Sequence, residues 1–360
     1  MNICTITCHD VYNVGASLQA YALCTYLRSI GHDATIIDYK PDYLSRHYSL
    51  SWVNNPRFDK PLVRELFLLA KLPSRLKARR SERKKRFDAF REIYLPLTKR
   101  YGSFEELRFD PPKADVYIAG SDQIWNPLFK NGKDPAFFLQ FAPQGTKRVS
   151  YAASFAGDQL SNDDRERMTP WLQTFDAVSV REKSGMPLLK SMDVDGIAVC
   201  DPVFLLTKEE WNALAISPKE QEYIFVYDFE NNAVIRELAM KLREQTGKPI
   251  VSVFESDYAD KVINDLGPQE FVGAIAQATT VISNSFHATA FSLILHRDCY
   301  VVGRSEGINA RMVDLLESVG LSDRLVSTSD VKAKPIDWDD ADDKLAKQIL
   351  FSKRFLEENI

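Results

Sequence analysis

This sequence has little of what usually announces a function. No run approaches the ~20 apolar residues that a membrane span needs, and the chain enters strand-like text at once (MNICTITC) without a basic leader or a cleavable apolar core. The expectation is a soluble, cytoplasmic protein. Five cysteines (Cys4, Cys8, Cys24, Cys200 and Cys299) are odd in number and scattered through apolar text, which excludes a disulfide framework and reads as reduced core thiols. Cys4, Cys8 and His9 sit in or beside one strand-like run with no second ligand pair, so no metal site is expected there. A net charge of only -4 supplies no global field for nucleic acid. Nor is there a G-x-G-x-x-G: NVGAS at 13–17 lacks that spacing.

What is present is apolar text of two periods. ICTITC, the helical SLQAYALCTYLRSI, Gly31 and ATIIDY make one βαβ unit. The pattern returns at DVYIAG (115–120), KRVSYAA (147–153), FDAVSVR (175–181) and GIAVC (196–200), each nearly continuously apolar, as buried parallel strands are. A second series starts at YIFVYDF (223–229) and runs through PIVSVF, TTVISNS and CYVVG with helical text between. At 360 residues and 45% hydrophobic content, the chain predicts two Rossmann-like α/β domains. We read them as 1–200 and 223–335, joined by 201–222, with a helix in 336–360. Residues 41–110 break the alternation and read as an insertion. It holds PLVRELFLLAKL and then SRLKARRSERKKRF, a segment with eight basic residues and one acid. This stretch, 61–86, reads as a solvated helix face or as a contact with an anionic membrane surface. RNA is disfavoured, because no aromatics alternate with the charges.

In open parallel sheets, ligands collect beyond the carboxyl ends of the strands. The residues found there are small and polar: NVGAS, GSDQIW, SFAG, REKSG, DPVF and SNSFHAT. In VISNSFHATAFSLIL (281–295), VIS closes a strand and FHATAFSLIL opens a helix. Ser285 is then the N-cap, and the amides of Phe286, His287 and Ala288 are open to an anion. His287 lies beside any such anion and can serve as a proton donor; the alternative is a half-buried histidine bonded to a loop. Arg181 at a strand end can clamp a carboxylate or phosphate, or make a surface ion pair with Glu182. Arg304 and Arg311 are weaker candidates of the same kind. Asp122 reads as a base, a sugar-hydroxyl acceptor or an Asx turn, and Asp201, before Pro202, most simply as a turn residue.

Taken together and in order, NVGASLQAYAL, AGSDQIWNP, VSYAASFAG, VSVREKSG, CDPVFLLTKEEW and SNSFHATAFSL resemble the polysaccharide pyruvyl transferase family across residues 1 to about 325. The resemblance implies a GT-B-like pair of Rossmann-like domains with an interdomain cleft, acceptor side first and donor side second, the last helix crossing back to the first domain. It implies phosphoenolpyruvate as donor, a glycan as acceptor, free or lipid-linked, and a pyruvate ketal as product, with no metal or other cofactor. His287 looks like the family's donor-site histidine, and Arg181 like the arginine that meets the donor's anionic groups. Two positions depart: Ser285 stands where some members carry an arginine, and Ala16 where an aspartate often follows the early Asn-x-Gly. Arg304 or Arg311 is expected to replace the first. The expected site is therefore His287 and Asp122 for catalysis; Arg181, Ser285, Phe286, Ala288, Arg304 and Arg311 for the donor; and Asn13, Gly15, Ser121, Gln123 and Trp125 for the acceptor. Two other readings remain open on this architecture: a nucleotide-sugar glycosyltransferase, and a non-catalytic protein that binds a glycan or phospholigand.

Overall fold

Apolar runs with helical text on either side build parallel strands covered on both faces. The computed structural model describes residues 1–53, 55–60, 63–304, 309–331 and 334–360. The first sheet contains β1 (Asn2–Ile6), β2 (Asp33–Tyr39), β3 (Leu97–Tyr101), β4 (Val116–Ala119) and β5 (Lys147–Ser150), in the order β3-β2-β1-β4-β5. All pairs are parallel. Single parallel bridges from Val149 to Ala177 and from Ala153 to Val180 carry this sheet towards the pair β6 (Ser179–Val180) and β7 (Ile197–Ala198).

The second sheet repeats the plan with β8 (Tyr223–Tyr227), β9 (Ile250–Ser252), β10 (Lys261–Val262), β11 (Ala278–Ser283), β12 (Asp298–Val302) and β13 (Leu325–Val326). Its order is β10-β9-β8-β11-β12-β13. In each sheet the order reverses once, between β1 and β4 and between β8 and β11, and such switch points open a crevice at the carboxyl ends of the strands. The two crevices face each other, giving two Rossmann-like domains in a GT-B-like arrangement with a cleft between them.

The reading of 41–110 as one insertion needs correction. Its later part is integral: β3 pairs with β2 in parallel (Ile36 opposite Leu97, Tyr39 opposite Tyr101). The helix Glu82–Tyr94 places Phe87 and Phe90 in the main core. LTKRY carries no continuous apolar run because it lies at a sheet edge, with Lys99 and Arg100 exposed. Only about 41–80 stands outside the alternation. The basic run is not wholly solvated either: Arg83 donates to the Tyr12 carbonyl (2.7 Å), and Arg86 bonds the Asp265 carbonyl (2.9 Å) and pairs with Glu270 (3.2 Å).

Of the segment 201–222, residues 201–214 form a packed wall and the rest is largely exposed. Pro202–Leu205 and Lys208–Leu214 are helical, the second opened by a Thr207/Glu210 capping box. Trp211 is fully buried, donating its indole N–H to the Val203 carbonyl (2.9 Å). One apolar core runs without a break from Leu18 and Leu27 of the first helix through Phe204 and Trp211 to Phe271 and Phe291. The last helix, Trp338–Glu358, lies on both halves. Ser352 accepts from the Cys200 amide (2.9 Å) and Tyr26 bonds Glu357, while His296 pairs with Asp342 (3.0 Å). An apolar interface of this extent opposes free hinge motion.

Candidate active site

Two helix N-termini meet across the cleft. After β1 the chain turns into the helix Val14–Ser29, with Asn13 as N-cap accepting from the Ala16 amide (3.2 Å). After β11 it turns into the helix Phe286–Ile294, with Ser285 as N-cap accepting from the Ala288 amide (3.4 Å). The Ala288 N–H is therefore occupied by the cap, a correction to the expectation that it would be free for an anion. The amides of Phe286 and His287 remain, and those of Val14 and Gly15 match them from the other side, since neither pair has an intrahelical acceptor. Both helices direct the positive ends of their dipoles at the same space.

Gly15 and His287 are the second residues of these two helices, and they touch. A Cβ built on Gly15 would lie 2.0 Å from His287 Nδ1 and 2.4 Å from its Cε1. The imidazole thus packs on bare backbone, a task only glycine performs at this distance. Gly15 was expected on the acceptor side; its place in the structure is a seat for the histidine. Asn284 ties the neighbouring loops together, donating to Asp228 (2.7 Å) and accepting from the Phe229 amide (3.0 Å).

Behind the imidazole lies a buried charge cluster. Asp201 Oδ2 accepts from Arg181 Nη1 (2.7 Å) and Ser121 Oγ (3.2 Å), and lies 3.7 Å from His287 Nε2. Its Oδ1 caps the next turn through the Val203 amide (3.1 Å), so the turn reading was half of its role. Arg181 also approaches Asp122 (3.5 Å) and Glu182 (3.9 Å). Glu182 is no surface partner: its Oε1 accepts from Ser154 Oγ (2.9 Å) and the Ala156 amide (3.1 Å). Arg181 and Arg311 both lie over the ring of Phe286, at 4.8 and 5.8 Å from its centroid. His287 Nε2, Arg181 Nε and Nη2 and Arg311 Nε are buried without a hydrogen-bond partner among the described residues. Unpaired buried donors carry a free-energy cost, which an anion in their midst would relieve.

The electrostatics follow from this geometry. Burial pushes the His287 pKa down; Asp201 opposes the shift and Arg181 adds to it. Burial and the nearby Arg181 lower Arg311 to about 10. Burial would raise Asp122, but Arg181, His287 and Arg311 more than offset it and hold the carboxyl low. Asp122 also has a φ of 71°, the left-handed region, a strained placement common at functional sites.

The cleft itself encloses about 650 Å³, walled by Asn13, Gly15, Asp122 and Gln123 from the first half and by Ser285, Phe286, His287, Arg304 and Arg311 from the second. Arg304 sits at its rim, paired with Glu230 (3.2 Å) over Phe229; residues 305–308 of the GRSEGINAR stretch lie outside the described residues. Arg181 opens instead onto an adjoining cavity of about 370 Å³, with Phe286 and Arg311 forming the wall common to both.

Two acceptor candidates are corrected. Trp125 is fully buried, stacked on Phe138 and bonded through Nε1 to the Phe137 carbonyl (3.0 Å), so it offers no face to a sugar. Ser121 is likewise buried and committed to Asp201. Tyr43, from the aromatic-rich loop at 41–58, and Lys130, not singled out in the sequence, line the cleft in their place. His9, by contrast, is a core residue whose ring bonds Asp38 (3.2 Å).

The model of the polysaccharide pyruvyl transferase family matches residues 13–306, which include both helix N-termini and, of the charge cluster, Asp122, Arg181, Glu182, Asp201 and His287. The chain belongs to this family. It is accordingly an enzyme of pyruvyl transfer, with a glycan as the acceptor that membership implies. No curated protein matches the chain. Among solved structures it is similar to a UDP-N-acetylglucosamine 2-epimerase, at 10% identity over 99% of this chain and 94% of that one, with a TM-score of 0.52. It is also similar to the UDP-GlcNAc 2-epimerase of Neisseria meningitidis bound to UDP-GlcNAc (10% identity, 99% and 93% covered, TM-score 0.48) and to that of Methanocaldococcus jannaschii (12%, 97% and 93%, TM-score 0.48). At such identities the likeness is one of fold.

Proposed function

We propose that the protein transfers the enolpyruvyl group of phosphoenolpyruvate onto two hydroxyls of one sugar, forming a pyruvate ketal and releasing inorganic phosphate. The observation that carries this reading is the placement of His287. It stands at a helix N-terminus, seated on Gly15 of the opposite domain, with Asp201 behind it and two buried guanidiniums alongside. Phosphoenolpyruvate is a small polyanion whose C2 becomes electrophilic only when C3 is protonated, so it needs cationic groups and an acid at one point.

The helix amides and Arg311 hold the carboxylate and phosphate, and Arg181 neutralises Asp201 while adding positive potential from behind. Protonated His287, its charge steadied by Asp201 beside Nε2, donates from Nδ1, the nitrogen on the Gly15 side of the cleft, to C3, converting the methylene to a methyl. The 3.7 Å gap between Nε2 and Asp201 tightens in the ligand-bound state, as such bonds commonly do. A sugar hydroxyl adds to C2 and gives its proton to a base. A second hydroxyl of the same sugar then forms the other C2–O bond as the bond from C2 to the phosphate oxygen breaks, its proton leaving on the inorganic phosphate. Asp122, ionised and facing the cleft, is the base proposed for the first hydroxyl.

The test is incubation with phosphoenolpyruvate and a panel of free and lipid-linked oligosaccharides, following phosphate release and glycan mass. Phosphate release matched by a glycan gain of one pyruvate less water is the expected result. Release of a nucleoside diphosphate from a sugar nucleotide would point to glycosyl transfer instead.

A further inference from the structure

The helix Val63–Arg79 is amphipathic in an inverted sense. Its half-buried positions are Phe67, Leu68 and Arg75. Phe67 stacks on Phe58 (4.7 Å), and Arg75 donates to the carbonyls of Leu50 and Trp52, both at 2.5 Å. A neighbouring face, set by the three- and four-residue spacing of a helix, carries leucines to the outside: Leu66 is 69% exposed, Leu69 65%, and Leu72 and Leu76 more than a third. No residue of this helix is buried. Such a face has a cost in water unless something covers it.

The charges around it specify what fits. Lys77, Arg79 and Arg80 are exposed and have no carboxylate partner among the described residues, although the chain as a whole is net acidic. Leucines bordered by free cations match the acyl boundary and the anionic headgroups of a bilayer. No helix among the described residues is long and apolar enough to cross a membrane, which leaves a contact in the plane of the surface. Pro61 and Leu62, which precede the helix, lie outside the described residues.

A third observation links this surface to the cleft. A cavity of about 540 Å³ shares Val11, Tyr43, Leu44 and Lys130 with the cleft and extends to Arg46 and Trp52. Arg46 and Trp52 in turn line a further space of about 500 Å³ with Lys40, Arg64 and Arg100, Arg64 being on the leucine-bearing helix. A polar groove thus runs from the helix to the catalytic centre, with Lys40, Arg64 and Arg100 along it paired to Asp10, Asp59 and Asp38.

We propose that Val63–Arg79 docks the protein on an anionic bilayer, leucines inserted and Lys77, Arg79 and Arg80 on the headgroups. A lipid-linked acceptor would then reach His287 along this groove. The docking stands on its own observations; the delivery of acceptor rests on the pyruvyl-transfer reading.

The experiment is co-sedimentation of the full chain with vesicles of phosphatidylcholine alone and of equal phosphatidylcholine and phosphatidylglycerol, with sedimentation velocity in the absence of lipid. Expected is binding to the anionic vesicles that weakens with salt, and little to the neutral ones. Leu66→Asp/Leu69→Asp should lower the partition coefficient on the order of a hundredfold. Lys77→Glu/Arg79→Glu/Arg80→Glu should do so by a similar factor, at about fivefold or more per cation. Both variants should keep the wild-type circular dichroism and any thermal shift produced by phosphoenolpyruvate. Two results would overturn the proposal: wild-type protein that stays in the supernatant with both vesicles, or a wild-type dimer that Leu66→Asp/Leu69→Asp converts to monomer, which would assign the face to a second copy of the chain. Neither depends on turnover, so a failure of docking is separable from a failure of the proposed chemistry.

Discussion

The two helix N-termini that face each other across the cleft are built alike and equipped differently. Each follows a strand at a switch point, each has a polar N-cap whose side chain takes the third amide, and each leaves its first two amides open. At the second position one carries the imidazole of His287 and the other no side chain at all. The lesson is that the orientation of a catalytic group can be specified from the opposite domain by what is missing there. The imidazole lies against Gly15, with Asp201 at its far nitrogen, so the ring has a wall on one edge and a carboxylate on the other.

The sharpest way to break this pairing is to remove the ring. His287→Ala should lower turnover by roughly 10² to 10⁴, the usual contribution of general acid catalysis, with the thermal midpoint little changed. Restoring the missing Cβ opposite is the next test. Gly15→Ala forces the imidazole aside, and a displacement of about an ångström in a catalytic group costs on the order of 10²-fold. If Gly15 acts through His287, the double variant should be no slower than His287→Ala alone. An additive loss would show that Gly15 contacts substrate directly. Both effects are read as kcat with phosphoenolpyruvate saturating.

Asp201 supports the comparison from behind. Asp201→Asn keeps the shape but leaves Arg181 with no full charge in closest contact, and breaking a buried pair in this way costs about 3 kcal/mol, measurable by urea titration. The same variant tests the electrostatic link to His287, since Asp201 is the main group raising that pKa.

How much of this was legible beforehand depended on how local the signal was. The start of the helix at Phe286, the N-cap at Ser285 and the exposure of the chemistry to a cleft follow from a strand, a cap and a helix written side by side in VISNSFHAT. The partnership with Gly15 was not legible, because nothing in NVGAS says which distant side chain will rest on the glycine. Asp201 beside a proline read as a turn residue, and one of its oxygens does serve a turn; the other meets Arg181 only through the fold. Trp125 misled for a related reason. An indole in SDQIW is equally compatible with a sugar platform and with a core, and burial is decided by Phe137, Phe138 and Phe155 around it. The edge strand β3 was lost because a solvent-facing edge lacks the continuous apolar run of the central strands.

The smallest expected effect concerns pH, and its sign follows from the same contrast between a charged and a bare helix end. In the free enzyme, burial depresses the His287 pKa. A catalytic acid works only when protonated, so kcat/KM for phosphoenolpyruvate should fall as pH rises through that depressed value, earlier than an ordinary histidine would titrate. Binding a polyanion between the two helix termini raises the pKa again, so the corresponding limb of kcat should lie at higher pH than that of kcat/KM. In Asp201→Asn the loss of the raising carboxylate should move the kcat/KM limb lower still. If both limbs coincide in the wild type and neither moves in Asp201→Asn, the proton donated to C3 comes from another group.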